Sequence, residues 1–423
     1  MNVLAKSWSA SSNARRLVYA AAAALFLASL TVLHWGFYQH NLIIDTVEYH
    51  RYGVATTHGH VPYRDFGVEY PPGALPVFVA PAIWHEGFSV YNREFQILMA
   101  LCGVGALFAM TLALRSLAAS AERTAAALAF AALAPLVVGS VILYRYDLWP
   151  AALAVAGLAA VLARRERLGF ASIGLGIAAK VFPAVLLPPA FAYVWRTRGR
   201  REALLCLAAA LAVAAVVLVP FLALAPHGVW NSVVRQATRP LQIESLAAGV
   251  LLVAHQVGGL AITMDSSRGS QNLIGSLPDT LGSASSALLV LALLGIWAAA
   301  ARGPATPDRL VRFSAASVVA FVALGKVLSP QFLIWLIPLV PLVRGRRGLA
   351  ASGLLGLALL LTQLWFPIRY WDLALRFAAF PSWLVLARDL VLLALLAVLL
   401  VPSKATLAPP PSETTGRANR DRL

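Results

Sequence analysis

Long apolar stretches constrain this chain more than any other feature. Runs of about 18 or more residues with few charges recur from Leu17 to Val401, the length that crosses about 30 Å of hydrocarbon. Charged residues make up 12% of the chain and hydrophobic ones 60%, with a mean hydropathy of +0.76. Soluble domains carry about 25% charged residues, so this chain cannot cover a water-facing surface. It reads as an all-α polytopic membrane protein. A net charge of +16 would elsewhere suggest a nucleic-acid partner, and here that class is set aside.

The two cysteines, Cys102 and Cys206, sit inside apolar runs as small hydrophobes, with no cluster to pair or to bind a metal. The basic start and the apolar stretch after Arg16 lack a small-residue cleavage site before His34, so the first span reads as a retained anchor.

Length and charge place about twelve transmembrane helices. They lie near 17–36, 95–114, 124–143, 147–163, 168–180, 181–195, 203–224, 283–301, 310–326, 330–343, 348–366 and 383–401. With residues 1–16 as a cytoplasmic N-terminus, the cytoplasmic side receives 22 basic and 6 acidic residues, the whole net charge of +16. The outer side and outer half-membrane then hold 12 of each sign. The basic surplus is therefore a topology signal, with both termini cytoplasmic. The chain reads as one transmembrane domain over 17–401, with a disordered, Pro/Ser/Thr/Arg-rich cytoplasmic tail over 402–423.

Two runs have arginines at both ends. Residues 168–195 are too long for one crossing and short for two, which predicts a shallow hairpin with Lys180-Val-Phe-Pro183 at its tip. Residues 313–343 repeat the arrangement, with Lys326-Val-Leu-Ser-Pro330-Gln331 at the tip. A long first extracytoplasmic loop, 35–94, should carry interfacial helices, and a second large outer segment spans 225–282. Its apolar piece near 246–262 would upset the charge parity as a crossing, so it is expected to be interfacial or re-entrant. No soluble catalytic domain remains, which puts any chemistry at the outer membrane face.

Asp45 and Glu48 follow the first span and share one face of any helix there. A partly desolvated carboxylate at the membrane boundary suits general-base work, although Asp45 equally suits an N-cap. Gly59…Pro62-Tyr63-Arg64-Asp65 and Glu69-Tyr70-Pro71-Pro72-Gly73 look architectural, a stiff loop over the membrane. His58 and His60 are too weak a pair for a metal site, and neither metal nor cofactor is expected.

Basic residues at hydrocarbon depth usually have a partner or a task. Only four of 34 basic residues are lysines, and two of them, Lys180 and Lys326, mark the hairpin tips. There each could meet an anion near a helix N-terminus, or simply snorkel. Tyr144-Arg145-Tyr146-Asp147 and Arg239-Pro240-Leu241-Gln242-Ile243-Glu244-Ser245 carry further outer charges. Each alone reads as a structural ion pair. Converging on one cavity, they would make a phosphate-friendly site.

Asp45, the Gly59–Pro72 segment, Arg145-Tyr146-Asp147, Lys180-Val-Phe-Pro183, Arg239–Ser245 and Ser329-Pro330-Gln331 together resemble the GT-C superfamily of membrane glycosyltransferases. Nearly the whole chain is similar to glycosyltransferase family 87, the polyprenol-phosphate-mannose-dependent type. The resemblance implies a GT-C-like fold and a polyprenyl-phosphate-linked sugar donor, with mannose or another pentose or hexose transferred to a lipid or glycan acceptor. It implies that Asp45 is catalytic, with Glu48 a possible assistant. Lys180, Lys326, Arg145 and Arg239 are expected at the donor phosphate, and Tyr63, Asp65, Glu69, Tyr70, Asp147, Glu244 and Gln331 as site lining. The expected setting is a bacterial cytoplasmic membrane with the active site outside. A transporter of inverted repeats, with the lysine hairpins as broken helices, is the alternative. A non-catalytic scaffold is a third.

Overall fold

The computed structural model describes residues 2–401, with side chains from residue 13 onward. The tail expected over 402–423 lies outside the described residues. The long helices are α1 (Asn2–Val32), α3 (Phe88–Ser116), α4 (Ala121–Val138), α8 (Arg200–Leu224), α11 (Ser276–Arg302) and α14 (Ala379–Leu400), with α2 (Thr46–Thr57) between the first two. The six long ones are each apolar and long enough to cross a membrane. Between them lie α5 (Leu148–Leu162), α6 (Glu166–Ala179), α7 (Leu187–Arg198), α9 (Pro226–Ala237), α10 (Leu246–Gly258), α12 (Pro307–Leu324) and α13 (Gly345–Gln363).

Local chemistry sets the helix starts. Ser120 accepts the Arg123 N–H at 3.2 Å to cap α4. Thr306 does the same for α12, with Pro307 in the first turn, where no N–H is needed. Glycine sets one close helix crossing. A Cβ on Gly157 would lie 2.8 Å from the Gly169 carbonyl, so α5 and α6 approach backbone to backbone. Helix α12 is buried along nearly its whole length and forms the centre of the bundle. Long helices α8 and α11 instead expose leucines and valines around their circumference, as a lipid-facing surface requires.

The two hairpins return to one basic face. Arg198 reaches Glu166 at 2.8 Å and Arg167 reaches Glu202 at 2.7 Å, so both ends of the first hairpin lie together. Arg344 pairs with Asp308, which closes the second in the same way. The expected helix over 330–343 is not formed. Its place is taken by 3-10 turns at Pro330–Trp335 and Val340–Leu342. Pro330, Pro338 and Pro341 remove donors that a helix needs, and such backbone is tolerated at depth because protein surrounds it.

The segment near 246–262 is α10, a short helix packed on α14 through Gly249 and Leu386. A small antiparallel sheet had no counterpart in the sequence reading. Strands β1 (Leu241–Gln242), β2 (Thr263–Ser267) and β3 (Ser270–Ile274) run in the order β1-β3-β2. Ser267 pairs with Ser270 across the Arg268-Gly269 turn, whose residues both have positive φ. Such a two-residue turn suits a tight hairpin. The sheet holds the Arg239–Ser245 segment through β1 and through the Ile243 N–H, which donates to the Gln271 carbonyl.

Candidate active site

Asp45 ends an extended piece of chain directly before α2. Its side chain makes no capping bond to that helix. The carboxylate pairs with the Arg145 guanidinium and accepts the hydroxyls of Tyr49 and Tyr70, each at 3.4 Å. Arg145 is almost fully buried, and its Nε has no partner among the described residues. Burial lowers its pKa to about 10. The turn that carries Arg145 also carries Asp147, so a second ion pair forms alongside. Asp147 Oδ1 accepts from Lys180 Nζ at 2.7 Å and from the Trp335 indole N–H at 2.6 Å.

Lys180 stands where α6 stops, at the tip of the first hairpin. Its ammonium lies 4.7 Å from the Tyr146 ring centre, 5.1 Å from Trp335 and 5.4 Å from Phe332. Desolvated cation–π contacts of this kind are worth about 2 kcal/mol. Phe182 and Phe332 stack on Trp335 at 4.2 Å each, so both hairpin tips meet over this lysine. The Pro71-Pro72-Gly73 stretch presses down on the same place. A Cβ on Gly73 would sit 2.5 Å from the Ala178 backbone, and the Gly73 carbonyl accepts from Trp149 at 3.1 Å. Tyr49, Tyr70, Phe78 and Tyr146 pack edge and face within 4.3–5.8 Å of one another and roof the site.

The second outer segment closes the other side. Arg239 reaches Gln236 at 3.4 Å, and Gln236 Nε2 in turn donates to Glu69 at 3.1 Å. Glu244 is buried, accepts from Gln242, and stands within electrostatic reach of Arg388, Arg145 and Arg239. Burial outweighs those three cations and raises its pKa to about 7.

Several predicted residues stand elsewhere. Glu48 is held by Arg51 at 2.7 Å and faces solvent. Asp65 binds Arg64 and the Val61 N–H, which hold its pKa at about 2 and close a turn. Tyr63 is buried, with its hydroxyl on the Tyr70 carbonyl at 2.5 Å. Lys326 is only partly buried and donates to the Ala237 carbonyl at 3.1 Å, at the C-terminus of α9. The side-chain Oε1 of Gln331 is buried and has no partner among the described residues. His58 binds Glu86 at 2.7 Å.

Sequence reasoning passed over Trp335 and the adjacent pair Arg388–Asp389. The latter had a visible signal, two charges inside the apolar run over 383–401. Trp335 had none, because only the fold brings its N–H to Asp147.

The family whose model matches residues 69–330 is described as Glycosyltransferase family 87. That range takes in Asp147, Lys180 and Arg239 and leaves Asp45 outside. No curated protein matches the chain. Two crystal structures of ArnT from Cupriavidus metallidurans are similar at 17% identity. The one bound to undecaprenyl phosphate has a TM-score of 0.47, covering 90% of this chain and 76% of that one. The apo one has 0.48, covering 92% and 77%.

Proposed function

The chain belongs to glycosyltransferase family 87, and on that premise we propose that it transfers a sugar from a polyprenyl-phosphate carrier to a lipid or glycan hydroxyl. The observation that carries this reading is the Asp45–Arg145 pair beside the Asp147–Lys180 pair. A potential base and two buried cations stand together under an aromatic roof, in a bundle whose flanks face lipid. A lipid-linked phosphate can reach such a place along the hydrocarbon, with its tail left in the membrane.

Asp45 accepts the proton of the acceptor hydroxyl as that oxygen attacks the anomeric carbon. The bond from that carbon to the phosphate oxygen breaks, and its electron pair leaves with the polyprenyl phosphate. The configuration inverts. Lys180, Arg145 and Arg239 stabilise the charge that grows on the leaving phosphate, and fixed cations in a site shielded from water are effective at this. Arg145 holds the Asp45 carboxylate by its ion pair before substrate arrives. A phosphate that takes over this guanidinium leaves the carboxylate free for the acceptor, so donor binding precedes proton transfer.

The same reading puts the site on the extracytoplasmic face of a bacterial cytoplasmic membrane, opposite the arginine-rich ends of the hairpins. Mannose is the preferred sugar and arabinose the competitor. The test is transfer of labelled sugar from polyprenyl-phosphate mannose or arabinose to a membrane-lipid extract by purified protein. Wild type should turn over one donor, and Asp45→Asn should lose at least a hundredfold in rate with its fold intact. Normal transfer by that variant would move the base elsewhere.

A further inference from the structure

Helix α14 carries Arg388 and Asp389 side by side in the middle of a membrane-length apolar run, and both are fully buried. A helix of this length needs no charge to span, and each charge raises its insertion cost. A pair of apolar residues of similar volume would be as stable or more so. What the pair does for the rest of the molecule is therefore the question.

Its hydrogen bond beyond α14 runs from Arg388 Nη2 to the backbone carbonyl of Glu244 at 2.6 Å. Asp389 Oδ1 lies 2.6 Å from Arg388 Nε as a close ion pair, yet Arg388 Nε and Nη1 and both Asp389 oxygens have no hydrogen-bond partner among the described residues, so the bond to Glu244 is the one directed contact the guanidinium makes there. Glu244 occupies the corner between β1 and α10. The N–H of Gln242 donates there to the Lys326 carbonyl at 3.0 Å, and that of Ile243 to Gln271 at 3.1 Å. The corner is thus tied to the second hairpin tip, to the sheet and, through Arg388, to a membrane-spanning helix. Arg239 stands in the same segment, within electrostatic reach of the Glu244 carboxylate.

We propose that the buried Arg388–Asp389 pair is a positioning device for the donor-phosphate site, with Arg388 acting through the Glu244 backbone to fix the Arg239–Ser245 segment. This rests on the reading of that segment as part of the phosphate site.

The test compares wild type, the apolar double variant R388M/D389L and Arg388→Lys in detergent. It follows hydrogen exchange over residues 239–249 and turnover of the polyprenyl-phosphate sugar. The double variant should fold with thermal stability at or above wild type. Its 239–249 amides should exchange at least tenfold faster, and kcat/KM for the donor should fall at least tenfold. Arg388→Lys keeps one donor for the carbonyl, so it should recover part of both and serves if the double variant does not fold. Unchanged exchange in a folded variant overturns the proposal whatever the activity. Faster exchange with an unchanged donor kcat/KM overturns the link to the phosphate site. A wild type without turnover counts against the proposed function, while the exchange data still decide the positioning role.

Discussion

The indole N–H of Trp335 donates to Asp147 at 2.6 Å, joining the irregular strip of the second hairpin to the turn that carries Arg145. The same carboxylate oxygen takes the Lys180 ammonium. The placement of the buried cation therefore depends on a tryptophan from a segment that fails to form a helix. Trp335→Phe keeps the ring stack and removes the N–H. It should cost about 1–3 kcal/mol in thermal unfolding, the range for leaving a buried acceptor short of a bond. Sugar transfer should fall about tenfold, and a variant with wild-type turnover would detach Trp335 from the site.

Lys180→Met leaves the buried Asp147 carboxyl without its cation. Breaking a buried pair in this way costs about 3–5 kcal/mol. The double change of Lys180→Met with Asp147→Asn should regain most of the stability and none of the transfer activity. Thermal unfolding and turnover on the same preparations separate the two effects, and recovered activity would exclude Lys180 from the chemistry.

Glu48→Gln should be silent. The side chain is exposed and paired with Arg51 within one turn, and such surface pairs contribute about 0–1 kcal/mol. A large loss of transfer rate in this variant would show that Glu48 shares the proton with Asp45.

Gly73→Ala places a methyl group against the Ala178 backbone, which cannot yield as a flexible side chain would. The roof should lift from the Lys180 tip. Overpacking of this kind costs about 1–3 kcal/mol, and transfer should fall while the membrane-spanning helices stay folded by circular dichroism. Unaltered kinetics would mean that the roof can move without consequence.

Burial raises the Glu244 pKa from its usual 4.5 to about 7. Between those values the folded state binds more protons than the unfolded state, so this group favours folding at low pH and loses that contribution as pH rises through about 7. One such proton gives a slope of at most about 1.4 kcal/mol per pH unit. Thermal stability of the wild type should decline from pH 5 to pH 8 more steeply than that of Glu244→Gln. Parallel profiles would show that Glu244 stays ionised in the fold.

The amino-acid sequence placed the chain in a membrane, because the apolar runs that recur from Leu17 to Val401 have no other solvent. It determined where the arginine-rich hairpin ends gather, since like placement of charge follows the membrane and not the fold. Lys180 stood out because a lysine is conspicuous in an apolar run. The tertiary structure alone decided which charges meet. Lys180 and Lys326 sit at equivalent tips in the sequence, yet one is caged over Asp147 and the other rests on the Ala237 carbonyl. Asp45 and Glu48 share a helix face in the sequence, yet one turns to Arg145 and the other to Arg51. The break over 330–343 was legible in Pro330, Pro338 and Pro341, whereas the pairing of β1 with β3 joins segments far apart in the chain. Hydrophobic periodicity reports only burial, which is local and additive. The pairing of charges across distant segments depends on packing that no single stretch of sequence contains.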